Sequence, residues 1–197
     1  MLIEISGMQK AGKSTLIEGL TFNFNYYKFP MGGVCKYFNI QPTWEMQIAK
    51  DISALSMVEQ VIRCSELDDI PMISDRGPLS TIYYSMLFNR TYLDNIRQFI
   101  IYLKNCYRSM WHPVWVEAKN QPELKREKND GFDKLQDNLD PARVMAIRDV
   151  MFNLLDEYKI PYTRVYNDFS TSIEQNQEDF QSKILAIWSK YNEYPRY

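Results

Sequence analysis

Short apolar runs alternate along this chain with longer stretches of helical spacing, and that alternation decides the fold class. Residues 2–6 are a short apolar run that stops at Gly7 and read as a buried strand. Helix-compatible residues follow from 13 to about 24. Residues 28–30 suit a second short strand, closed by Gly32 and Gly33. From 44 to 67 the spacing is helical, with Ile48, Ile52, Leu55, Val58 and Ile62 on one face, until Asp68 and Asp69 break it. Residues 70–75 are a strand candidate stopped by Gly77-Pro78. Helices are predicted over 79–88 and 92–110, then a strand over 113–117. Residues 141–158 read as a helix, 162–166 as a strand and 173–191 as a final helix.

Strands that alternate with helices pair in parallel through crossover connections. The expectation is an α/β three-layer sandwich, with a parallel sheet of about five strands between helical layers. The stretch 119–140 is polar and charged, with one glycine and no apolar period, so it reads as a lid inserted in one domain spanning 1–197. No repeat, linker or low-complexity segment interrupts that domain.

Composition narrows the function classes. A net charge of −2, from 23 basic and 25 acidic residues, gives no basic excess for nucleic-acid binding. The 14 tyrosines, 10 phenylalanines and 4 tryptophans suit a ring-rich core and also a pocket that stacks planar rings. Cys35, Cys64 and Cys106 are odd in number and form no C-x-x-C pair, so neither a disulfide framework nor a zinc site is expected. The first residues lack a signal-peptide pattern, and no run approaches the ~18 apolar residues of a membrane span. A soluble, cytoplasmic protein with no membrane partner is expected. The sole histidine, His112, precedes Pro113 near a strand start and reads as structural.

The chemistry begins at Gly7-Met8-Gln9-Lys10-Ala11-Gly12-Lys13-Ser14, which satisfies G-x-x-x-x-G-K-[ST] and is followed by Thr15. It lies directly after a predicted strand and before a predicted helix, the placement a phosphate-binding loop requires. Gly7 and Gly12 let the backbone turn tightly, so that successive amides face a phosphate. Lys13 is placed to reach β- and γ-phosphates, and the Ser14 hydroxyl to ligate magnesium. Lys10 adds a cation inside the loop, either solvated or stabilising charge on the transferred group. The expected fold is therefore P-loop NTPase-like, and the expected cofactors are ATP and Mg2+.

Asp75 and Arg76 stand at the carboxyl end of a predicted strand, where open parallel sheets bind ligands. Asp75 suits a magnesium ion held through water, or a hydrogen bond from the nucleophile. Arg76 suits a bidentate phosphate grip. The plainer alternative is a pair that merely caps the following helix.

The order of P-loop, Phe29-Pro30, Asp75-Arg76 and a charged lid before a long helix resembles thymidylate kinases, within the wider group of deoxynucleoside and deoxynucleotide kinases. The resemblance implies that Arg76 binds the acceptor phosphate and that Asp75 supports magnesium or the acceptor. It implies a basic residue in the P-loop or the lid. Lys10 matches the first, and Lys125, Arg126 and Lys128 lie in the second, with Arg126 best suited to a spread phosphoryl charge. It also implies a homodimer. Three features depart from the family: Gln9 stands where an acidic residue is common, Met31-Gly32-Gly33 follow Phe29-Pro30, and Gly77 replaces a bulky aromatic or histidine. The phosphate machinery thus carries over better than a thymine pocket. Candidates for the acceptor wall are Gln9, Phe29, Pro30 and Tyr83 beside Arg76, with Trp44 and Tyr84.

The expected activity is ATP- and magnesium-dependent phosphoryl transfer to a (deoxy)nucleoside monophosphate, a modified pyrimidine among the candidate bases. A deoxynucleoside kinase is the alternative, with Asp75 accepting the hydroxyl proton. A polynucleotide acceptor would need a basic groove, which the overall charge does not supply but a local patch could. A module that binds nucleotide without transferring it is the fourth reading.

Overall fold

The computed structural model describes residues 1–8, 11–28, 70–87, 93–107, 110–119 and 141–192. The expected helix over 44–67, the lid from 120 to 140, and Gln9, Lys10, Phe29, Pro30 and Arg126 lie outside the described residues. In chain order the elements are β1 (Leu2–Gly7), α1 (Lys13–Glu18), β2 (Asn25–Lys28), β3 (Met72–Asp75), α2 (Pro78–Leu87), α3 (Leu93–Tyr107), β4 (Trp111–Lys119), α4 (Pro141–Glu157), β5 (Thr163–Asp168) and α5 (Ile173–Asn192). The strands form one sheet in the order β2-β3-β1-β4-β5, with every pairing parallel.

β1 is the centre of this sheet, and all six of its residues are buried. It pairs with β3 on one side, Leu2 to Met72 through Ile5 to Asp75. On the other side it pairs with β4, Leu2 to Trp111 through Gly7 to Val116. Alternation divides its side chains between two cores. Ile3 and Ile5 join Ile73, Val114, Val116 and Val165, and are covered by Leu16 and Ile17 of α1 and Phe180 and Ile184 of α5. Leu2 faces the other way, toward Trp111 and Trp115, under Leu79, Ile82 and Tyr83 of α2, Ile100 and Leu103 of α3 and Leu155 of α4. The expected three layers follow from this two-sided burial.

Several element bounds differ from the sequence reading, those of α1 and β2 the most. α1 ends at Glu18 rather than near residue 24. The Gly19 and Leu20 amides close tight bonds to Leu16 and Ile17, at 3.2 and 3.1 Å. Side chains of α5 take over the remaining groups. Gln177 donates to the Thr15 carbonyl at 2.8 Å, and Gln181 accepts from both the amide and the hydroxyl of Thr21. Gln177 also fills the space beside Gly19, where a Cβ would fall 2.3 Å from its Cδ. The released chain starts β2 at Asn25, three residues before the expected 28. The strands expected over 113–117 and 162–166 are present but longer, as β4 and β5.

Ionic and polar groups fasten the β4–β5 end. Glu117 is almost fully buried and binds two guanidinium groups, Arg148 of α4 at 3.0 Å and Arg164 of β5 at 2.7 Å. Arg148 is itself nearly buried and also pairs with the exposed Asp149 at 2.7 Å, so removing the shared carboxylate takes away its buried partner and leaves only the exposed one. Glu117→Gln is expected to destabilise the fold by roughly 2 kcal/mol, read as a lower midpoint in chemical denaturation.

His112 sits beside Thr163, its Nε2 at 2.9 Å from the Thr163 hydroxyl. Burial, helped by the positive charge of Lys190, lowers its pKa from 6.5 to about 4. Between those values the unfolded chain takes up a proton that the folded chain refuses. The neutral imidazole therefore supports the fold above pH 6.5, and its contribution is lost as pH falls toward about 4. Denaturation midpoints measured from pH 7.5 down to 4.5 are expected to fall more steeply for the unaltered chain than for His112→Asn.

Candidate functional site

The loop after β1 has the geometry its glycines require. Gly7 has φ +148°, and a Cβ on it would lie 2.2 Å from the Val116 carbonyl oxygen of β4. Gly12 has φ +78°, and a Cβ there would strike the Asn167 side chain. Both positions need glycine, for conformation and for space. The loop is closed by the Ala11 amide on the Met8 carbonyl at 3.4 Å. Lys13 opens α1 and folds back over the loop, its ammonium donating to the Met8 carbonyl at 2.8 Å and to Gly7 at 3.3 Å. Ser14 follows with its side chain exposed, and Thr15 is half-buried. Ala11 is fully buried, and Met8 packs against both cores.

Asn167, at the carboxyl end of β5, holds this loop from the far side. Its Nδ2 donates to the Ala11 carbonyl at 3.0 Å, and the residue is nearly buried. The sequence reading passed over it. The available signal was a polar residue ending a strand just before a turn, at the edge where ligands bind.

Asp75 and Arg76 stand next to the loop because β3 pairs with β1, with Asp75 opposite Ile5. Arg76 has φ +74°, rare for a residue with a side chain, and its amide continues the ladder to the Ile5 carbonyl at 2.9 Å. Such backbone strain gathers at functional turns. The Arg76 guanidinium lies over the Tyr84 ring, 5.8 Å from its centroid. Asp75 is only 6% exposed, and its carboxylate accepts no hydrogen bond among the described residues.

The plainer reading of Asp75 as a helix cap does not fit these bonds, because another carboxylate caps α2. Glu4 of β1 accepts from the Leu79 and Ser80 amides, both at 3.0 Å, and from the Trp111 indole at 2.9 Å. Ser6 donates its hydroxyl proton to Glu4, so the Ser80 hydroxyl, 2.6 Å away, donates to Ser6. Burial raises the Glu4 pKa, while its four donors pull it back toward the charged form. Glu4 also accounts for Gly77, because a Cβ there would lie 2.8 Å from the Glu4 carboxyl carbon. The bulky residue the family resemblance would put at 77 has no room. Glu4 too escaped the sequence reading, although a charged residue inside an apolar strand was its signal.

Tyr83, expected on the pocket wall, is 2% exposed and packs edge-on against Trp115 at 4.9 Å and Tyr84 at 5.2 Å. Burial pushes its phenol well above the usual range. The α2 tyrosine nearer the candidate chemistry is Tyr84, under Arg76.

Lys13 and Ser14 begin the helix that follows β1, and Asp75 and Arg76 end the adjacent β3, so both pairs stand on the carboxyl side of neighbouring strands, where open parallel sheets bind ligands. Among the described residues no three His, Cys, Asp or Glu side chains gather as a metal cage. The oxygen donors here are the Ser14 hydroxyl and the Asp75 carboxylate, a set that suits magnesium arriving with a polyphosphate.

No family model matches the sequence, and no curated protein matches it. Solved structures do match. A deoxyadenosine kinase from M. mycoides, with dCMP and a flexible dCDP bound, is 14% identical at a TM-score of 0.60, over 94% of this chain and 100% of that one. Thymidylate kinase from Ehrlichia chaffeensis is 14% identical at 0.60, over 95% and 97%. Thymidylate kinase from Candida albicans is 18% identical at 0.60, over 96% and 92%. The chain therefore has the fold of the P-loop nucleotide kinases.

Asn167→Ala removes one buried hydrogen bond that holds the loop, worth about 1 kcal/mol. ATP affinity is expected to fall about fivefold, read by titration with a fluorescent ATP analogue, while affinity for the acceptor is unchanged.

Proposed function

We propose that this chain is an ATP- and Mg-dependent phosphotransferase that adds a phosphoryl group to a (deoxy)nucleoside monophosphate. The observation that carries the reading is the juxtaposition of the glycine loop after β1, with Lys13 at the start of α1, and Asp75 and Arg76 at the end of the neighbouring β3. The donor triphosphate lies along the amides of 7–14, with Lys13 swinging from the loop carbonyls to its β- and γ-phosphates. Lys10 and Arg126 add charge from the loop and the lid, and Thr15 lies at the α-phosphate end. Arg76 grips the acceptor phosphate bidentately, in a turn whose strain fixes its direction. Gln9, Phe29 and Pro30 belong to the acceptor side of the pocket, with Tyr84 rather than the core residue Tyr83 beside Arg76.

Ser14 and Asp75 would hold magnesium, which supplies charge neutralisation and alignment of the phosphate oxygens. The protein's share of the chemistry is mainly positioning and electrostatics. An acceptor phosphate is already a nucleophile near neutral pH, so this transfer needs no strong general base. The domain spans 1–197 with the lid over about 119–140, acts as a homodimer and works in the cytoplasm. No described helix is long and apolar enough to cross a membrane.

One observation favours a second reading. A deoxyadenosine kinase matches this fold at the same TM-score as the thymidylate kinases, and the nearly buried Asp75 carboxylate at the end of β3 would be the group to take a proton from a sugar hydroxyl. A panel of nucleosides, nucleoside monophosphates and a 5′-hydroxyl oligonucleotide, each incubated with ATP and magnesium, separates the cases. New diphosphate from a monophosphate is the expected product. New monophosphate supports the nucleoside reading, a labelled oligonucleotide supports the polynucleotide one, and no product from any acceptor defeats all three.

Lys13→Ala is expected to lower kcat at least about a hundredfold, because it removes charge stabilisation from the transferred group. Arg76→Ala is expected to raise the acceptor KM with little change in the ATP KM, measured by initial rates at varied concentrations of each substrate.

A further inference from the structure

We infer that Glu4 is a positioning residue for the acceptor side: it locks the turn carrying Arg76 in the orientation that meets the acceptor phosphate. The inference rests on the acceptor role proposed for Arg76, and its geometric part stands on the structure alone.

Three amides just after β3 end on two neighbouring residues of β1. The Arg76 amide reaches the Ile5 carbonyl at 2.9 Å. The Leu79 and Ser80 amides reach the two Glu4 carboxylate oxygens, each at 3.0 Å. Only Gly77 and Pro78 separate these attachment points, and Arg76, the first of them, holds φ +74°. A left-handed residue with a side chain persists only where its surroundings over-determine it. Here that work falls to the Ile5 carbonyl on one side and the Glu4 carboxylate on the other.

Glu4 is fitted to hold rather than to react. It is fully buried, and each oxygen already accepts two bonds: Oε1 from Ser6 and Ser80, Oε2 from Leu79 and Trp111. Its carboxyl group also fills the space a side chain at 77 would need, with a Cβ 3.0 Å from Oε2 and closer still to the carboxyl carbon. The same carboxylate therefore dictates both the first turn of α2 and the absence of a side chain beside Arg76. A neutral amide cannot reproduce this, because its NH2 end would face two donors where the carboxylate presents an oxygen.

The test disturbs the contact from both sides in the full chain, with Glu4→Gln and with Gly77→Ala. Each variant is followed by hydrogen exchange over residues 74–82 and over the P-loop peptide, by titration with a fluorescent ATP analogue, and by acceptor kinetics. The expected result is faster exchange at 76, 79 and 80, an acceptor KM raised about tenfold or more, and ATP affinity within about twofold of the unaltered chain. Glu4→Asp, which keeps the charge, is expected to recover part of the acceptor KM that Glu4→Gln loses. Unchanged exchange at 76–80 overturns the inference. So does a fall in ATP and acceptor affinity together, which marks a purely structural role, as does unfolding of both variants. If the unaltered chain phosphorylates no monophosphate, the substrate reading falls by itself, and exchange at 76–80 still decides whether Glu4 sets the turn.

Discussion

The backbone of Gly7 passes so near β4 that no Cβ fits between it and the Val116 carbonyl. That approach is imposed by β1, which is hydrogen-bonded on both sides and buried along its whole length. A central strand with no free edge cannot shift without breaking two ladders. The loop that leaves it therefore starts from a fixed point and direction. Lys13, Asn167 and the Ile5 carbonyl under Arg76 are all placed relative to that point.

The site is built from polar groups brought to the ends of apolar strands, and each is held differently. The loop is gripped by backbone proximity at Gly7 and by one amide side chain at Ala11. The Arg76 turn is gripped by a buried carboxylate with four donors. A charge so far from water is costly unless every lone pair is engaged, and here the bonds converge from β1, α2 and β4. The cost is offset by specificity of position, since few other arrangements satisfy those donors together. The Glu117 cluster between β4, β5 and α4 uses the same device, with two guanidinium groups in place of amides.

What could be read from the sequence follows the range of the forces involved. The glycine loop was legible because its residues act on their own backbone, and the strand before it announces itself by apolar composition. The β5 and α5 segments were legible from periodicity. The end of α1 was not, because it is set by Gln181 and Gln177, 160 and 162 residues along the chain from the groups they cap. The start of β2 moved for the same reason. Asn167 and Glu4 were missed because their partners are brought near only by the fold, and Gly77 looked like a departure until Glu4 was seen in its place. Tyr83 shows the opposite case: an aromatic beside the site looks like a wall in sequence and is a core residue in space.

The glycine loop and the Arg76 turn share one ruler. Residues 4 and 5 fix the Arg76 turn, and residue 7 begins the phosphate loop, all on a single strand of six residues. If β1 slid by one position against its neighbours, the loop would travel about 3.3 Å and Glu4 would turn to the opposite face, among isoleucines and valines. Such a chain would lose both grips at once, so the spacing between the glycine loop and the Arg76 turn is inherited from strand registry and leaves no room for either to drift alone.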